Sequence, residues 1–139
     1  MDATTYLENT PLKKILGIPA AALDQAMAKA YLLYTTGHYD QAEILCRGLI
    51  AADHRYWWSY SLYAAALRRM GRLDEALQQI NLGLKFEPNQ TKLLLMRGEI
   101  LSSLGRHAEA KLDLSPVTIT GRPEERRFAH KRIAQIEAR

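Results

Sequence analysis

Four histidines and one cysteine are the groups in this chain best suited to covalent or metal chemistry, and their spacing argues against it. His38, His54, His107 and His130 never form the i, i+4 pair that sets two imidazoles on one helical face. No GxSxG, HExxH or phosphate-cradling glycine loop occurs. Cys46 is the only cysteine, which excludes an internal disulfide and a cysteine-based zinc site. It falls in an apolar stripe with Ala42, Leu45, Leu49 and Ile50 and reads as a small buried hydrophobe. The expectation is therefore a non-enzyme with no catalytic residues, no metal and no cofactor. What remains is recognition chemistry. Met27, Tyr31, Tyr34 and Trp58 offer large contact area, with polar tips on the aromatic rings and an adaptable thioether on the methionine, while Trp57 reads as a helix-boundary residue of the core. Arg68, Arg69 and Lys92 offer donors for carbonyls or carboxylates.

The elements that position these groups are helices. Gly37, Gly71 and Gly105 stand 34 residues apart. Each has a leucine four residues before it (Leu33, Leu67, Leu101), a small residue seven before (Ala30, Ala64, Gly98) and an alanine five after (Ala42, Ala76, Ala110). Such a period is the signature of a helix-turn-helix repeat: glycine supplies the left-handed residue that ends the first helix, and the small residues let its partner approach closely. The pattern predicts helices over 20–36, 40–52, 57–70, 74–86 and 91–104. Leu23, Ala26, Ala30 and Leu33 should form the core face of the first. Residues 1–8 read as a tail, and Thr10-Pro11 as an N-cap and first helical residue of a short helix that Gly17 ends. Ser115-Pro116 breaks the pattern, so the helix from His107 is expected to stop at Leu114, with a linker over 117–121 and a last helix from Pro123 to about Ala138. That helix carries Ala129, Ile133 and Ile136 on one stripe with Phe128 beside them, as a cap with a polar outer side would.

These residues resemble the tetratricopeptide repeat family. The resemblance implies an all-α solenoid of three repeats in a single domain: a lead over 1–22, repeats over 23–56 and 57–90, a truncated repeat over 91–116, and a linker and capping helix over 117–139. It also implies a concave groove lined by set positions of each repeat's first helix. Carried onto this chain, those positions bring together Met27, Tyr31 and Tyr34, then Trp58, Ser61, Ala65, Arg68 and Arg69, then Lys92, Leu95 and Glu99. A trough of aromatic and apolar residues followed by cations suits an extended peptide with spaced apolar anchors. The family members that clamp a chaperone's C-terminal carboxylate use lysines, asparagines and an arginine at positions occupied here by Met27, Tyr31, Leu62, Lys92 and Met96. Only Lys92 agrees, which disfavours that ligand.

The whole layout, with TPLKKILGIPAAALDQAMAKAYLLYTTGHYDQAEILCRGLIAADH in front and RPEERRFAHKRIAQIEAR behind, looks like the class II translocator chaperones of type III secretion systems. That resemblance implies a cytoplasmic chaperone for a secreted translocator-like client, with a homodimer contact through the leading segment. The alternative is a general adaptor in another complex. Composition is compatible with both. A chain of 139 residues, 47% apolar, has the size of one domain. The longest uncharged run, Tyr56 to Leu67, is 12 residues, too short to cross a bilayer, and the start of the chain lacks the pattern of a secretory signal. A formal charge of +4 does not demand nucleic acid.

Overall fold

A computed structural model describes residues 10–139, and among them the secondary structure is entirely helical. The helices are α1 (Leu12–Leu16), α2 (Ala20–Thr35), α3 (Tyr39–Ala52), α4 (Trp57–Arg69), α5 (Leu73–Phe86), α6 (Thr91–Ser103), α7 (His107–Thr120) and α8 (Pro123–Glu137). The tail expected over 1–8 lies outside the described residues. The chain divides into two compact units, 1–79 and 80–139.

The three bends are built alike. Gly37, Gly71 and Gly105 have φ of 86°, 78° and 78°. After each, the next residue's N–H (His38, Arg72, Arg106) reaches back to the carbonyl of Leu33, Leu67 or Leu101 at 2.8–2.9 Å. This is the six-residue closure of a Schellman motif, available only when the residue before the donor is left-handed. The carbonyls of His38, Arg72 and Arg106 then accept from Ala42, Ala76 and Ala110, opening the second helix of each pair. All three alanines are fully buried, as are Ala30 and Ala64 at the matching positions of α2 and α4.

In unit 1, α3 packs against both α2 and α4, which also touch each other, and α1 lies on α3. Lys13 of α1 reaches Asp53 at the end of α3 at 2.5 Å, and Asp53 also accepts from the Arg55 backbone at 3.2 Å. Pro11, not Thr10, takes the cap position of α1, and Gly17 ends it with φ 67°. The expected core face of α2 is only partly realised. Ala30 is buried, whereas Leu23, Ala26 and Leu33 keep intermediate exposure, because among the described residues α2 has neighbours on one flank alone. Cys46 is fully buried, and desolvation, with Glu43 adding to it, pushes its thiol up to about 12. Glu43 is itself buried, accepting from Arg72 at 2.8 Å and from the Tyr63 hydroxyl at 3.4 Å.

In unit 2, α7 packs between α6 and α8. The break expected at Ser115-Pro116 does not occur: α7 runs through Pro116 to Thr120, so the third pair is complete and 117–121 is not a linker. A mid-helix proline removes one hydrogen bond and costs about 3 kcal/mol in isolation. Here Leu114 and Val117, both fully buried, hold the helix in line on either side of it. The missing bond would have ended on Leu112, which is exposed, so its carbonyl can be hydrated. Ser115, Thr118 and Thr120 return their hydroxyls to the carbonyls of Lys111, Ser115 and Pro116. Pro123 opens α8 as expected, and Glu125 reaches back to the Arg122 N–H at 3.0 Å while accepting from Thr91 of α6 at 3.1 Å. Ala129 and Ile136 are buried and Ile133 is half-buried, as the expected stripe requires.

Asp53 and Glu125 make the fold sensitive to acid. Burial alone would raise both carboxyls. Donors from Lys13 and Arg55 on Asp53, and from Arg122 and Thr91 on Glu125, outweigh it and hold both below their ordinary values. Each is therefore easier to ionise in the fold than in the unfolded chain. Their stabilisation is complete above the ordinary carboxylate range near about pH 4 and is lost as pH falls through the lowered native values. Urea midpoints should drop between pH 7 and pH 3, and Glu125→Gln should flatten that dependence. An unchanged slope in the variant would remove Glu125 from the cause.

Candidate functional site

The residues with recognition chemistry cluster on one side of unit 1. Met27, Tyr31 and Tyr34 follow each other at i, i+4 and i+7 along α2, and Trp58, Ala65, Arg68 and Arg69 share a face of α4 at i, i+7, i+10 and i+11. Because α2 and α4 lie side by side with α3 packed against both, their side away from α3 is open among the described residues. Tyr31 is 59% exposed and Trp58 42% exposed. Both rings are therefore available for contact. Met27, Tyr34, Ala65 and Arg68 are half-buried and Arg69 is exposed. Ser61 is not part of that open surface. At 4% exposure it belongs to the packed side of α4, where Ser59, Tyr60, Leu62, Tyr63 and Ala64 are also buried.

Three ring contacts brace the face. Trp57 and Trp58 stack with centroids 4.5 Å apart and planes 22° from parallel, so Trp57 supports its neighbour instead of filling the core. At the other end, Tyr34 meets Tyr39 at 5.7 Å, and the Arg69 guanidinium lies 5.4 Å over the Tyr39 ring. Tyr39, the first residue of α3, is absent from the sequence-derived set. Its place two residues after the left-handed Gly37 turns it toward the ends of α2 and α4, and that spacing was the available signal. A guanidinium held over an aromatic face loses little further freedom when its edge donates to a carboxylate.

In unit 2, taken by itself, Lys92, Leu95 and Glu99 fall at i, i+3 and i+7 along α6, all half-buried. The first turn of α6 is capped by Gln90, whose side chain accepts from the Lys92 N–H at 3.4 Å. Leu62 and Met96, which stand where the carboxylate-clamping members carry polar donors, are 5% and 7% exposed. Neither can serve a carboxylate. No described helix is long and apolar enough to cross a membrane.

No protein-family model and no curated protein matches the sequence. Solved structures do. The type III secretion translocator chaperone SycD of Yersinia enterocolitica is similar at a TM-score of 0.83 and 22% identity, over 94% of this chain and 99% of that one. SycD has also been solved with a peptide of the translocator YopD. A T3SS complex from Aeromonas hydrophila gives a TM-score of 0.86 at 17% identity, over 97% of this chain and 92% of that one. The first TPR of Spaghetti (RPAP3), bound to the HSP90 peptide SRMEEVD, gives 0.77 at 20% identity, over 87% and 94%. At these identities the likeness establishes the fold, a tetratricopeptide-like series of helical hairpins.

Proposed function

We propose that this protein is a cytoplasmic, non-enzymatic chaperone that holds an extended segment of a secreted, translocator-like protein against the open face of α2 and α4. The observation that carries the reading is the exposed pair Tyr31 and Trp58, stiffened by Trp57 beneath one end and by the Tyr34–Tyr39–Arg69 cluster at the other. The fold supports it, since SycD is a translocator chaperone solved with a translocator peptide. Apolar anchors of the client would cover Met27, Tyr31, Tyr34 and Trp58, while Arg69 would take a carboxylate or carbonyl beside them. Covering each anchor is worth about 1.5 to 3 kcal/mol, enough for micromolar binding after ordering costs.

The test is a Tyr31→Ala/Trp58→Ala variant, measured by calorimetry against a translocator peptide such as the YopD segment with which SycD was solved. The variant should keep its helical circular dichroism and lose about 100-fold or more in affinity. Binding at full strength would defeat the assignment of the face.

A second reading, an adaptor for folded partners, is favoured by the likeness to the RPAP3 repeat bound to an HSP90 peptide. The buried Leu62 and Met96 count against that ligand class. Titration with SRMEEVD separates the two: a flat curve is expected, and saturable binding would favour the adaptor.

A further inference from the structure

We propose that the outward face of α8 is a second interaction surface, separate from the peptide face, that docks an acidic polypeptide segment. The three acids of α8 are all engaged. Glu125 is turned inward onto Arg122 and Thr91, Glu124 lies 3.9 Å from Arg122, and Glu137 pairs with Lys111 of α7 at 3.0 Å. Arg126, Arg127, Lys131 and Arg132 of the helix, and Arg139 just beyond it, have no carboxylate partner among the described residues. Over 122–139 the six cations exceed the three acids by three, out of a net charge of +4 for the whole chain. Most of the chain's net positive charge therefore lies in this segment, and Arg127 and Lys131 stand on the side of α8 opposite its buried stripe.

The geometry points to a polypeptide. Burial of Ala129 and Ile136 fixes the rotation of α8 and keeps Arg126, Arg127 and Lys131 exposed. Arg127 and Lys131 are one turn apart, the spacing that matches carboxylates at i and i+4 of a facing helix. Next to them Phe128 is 37% exposed, with the Arg132 guanidinium 5.7 Å from its ring and the Arg132 Nη1 donating to Gln135 at 3.3 Å. The fixed guanidinium and the ring together offer a carboxylate partner and an apolar contact side by side. A bilayer would need an apolar face free to insert, and here that face is spent inside unit 2. A nucleic acid strand would need a series of stacking rings, and this face has one.

The probe is a helical peptide with two Glu pairs at i, i+4 spacing flanking a leucine, titrated against the full chain at low and moderate salt. Saturable binding that weakens with salt is expected. It should fall at least about tenfold in Arg126→Glu/Arg127→Glu/Lys131→Glu and a few-fold in Phe128→Ala. Tyr31→Ala/Trp58→Ala should leave it unchanged, which separates this surface from the peptide face. Absence of peptide binding, or equal binding by the charge-reversed variant, would overturn the proposal. So would tighter binding of phosphatidylserine vesicles or single-stranded RNA that the same reversal abolishes.

Discussion

Gly98→Val is expected to destabilise the protein by about 3 kcal/mol, while Gly48→Ala, also in a helix interior, stabilises it by about 0.5 to 1 kcal/mol. Gly98 lies in α6 at the position that Ala30 and Ala64 occupy in the two earlier pairs. A Cβ built there would stand 2.7 Å from both Cγ and Cδ2 of Leu114, more than half an ångström inside normal contact. Leu114 is fully buried and has no room to withdraw. Valine adds two further methyls to that clash. Gly48 faces solvent from α3 with no atom within 4 Å of a new Cβ, so alanine there reduces backbone entropy in the unfolded chain and collides with nothing. Urea denaturation of the two variants checks both signs. Equal, small effects would mean that α6 and α7 pack less closely than described.

Arg97→Met should cost a comparable amount, about 3 kcal/mol, and Arg97→Met/Asp113→Leu should recover most of it. Arg97 donates to both oxygens of Asp113 at 2.7 Å and to Asn81 at 3.0 Å, and burial leaves the Asp113 side chain only 9% exposed. Removing the guanidinium strands a buried carboxylate without its donors. Removing both partners leaves an apolar contact between α6 and α7, which such interiors tolerate well. The exposed pairs, Arg106 with Glu109 and Arg72 with Glu75, should by contrast contribute little, because solvent screens them. A double-mutant cycle at 97 and 113 with no coupling would show the pair to be dispensable.

The two units put different chemistry on the same scaffold. Unit 1 leaves aromatic rings open on α2 and α4. Unit 2 turns the acids of α8 inward or pairs them and leaves arginines outside on that helix. Both arrangements follow from where α3 and α7 pack, since each is gripped by the helices before and after it.

Much of the fold was legible in the sequence because its signals are local. A left-handed bend needs glycine within one residue, and the leucine four positions earlier supplies the carbonyl that closes it. Gly37, Gly71 and Gly105 therefore announced three bends without reference to anything distant. The face of α2 and α4 was legible in part, since helical spacing alone sets Tyr31 in line with Met27 and Tyr34. Local signals failed where packing overruled them. Pro116 forecast a break that Leu114 and Val117 suppress, and Ser61 shares a helical row with Trp58 yet is covered by the neighbours of α4. The buried acids were invisible for the same reason. Glu43, Asp113 and Glu125 are held by Arg72, Arg97 and Thr91, which lie 29, 16 and 34 residues away. The burial of a charge depends on its partner, and only the tertiary structure brings the two together.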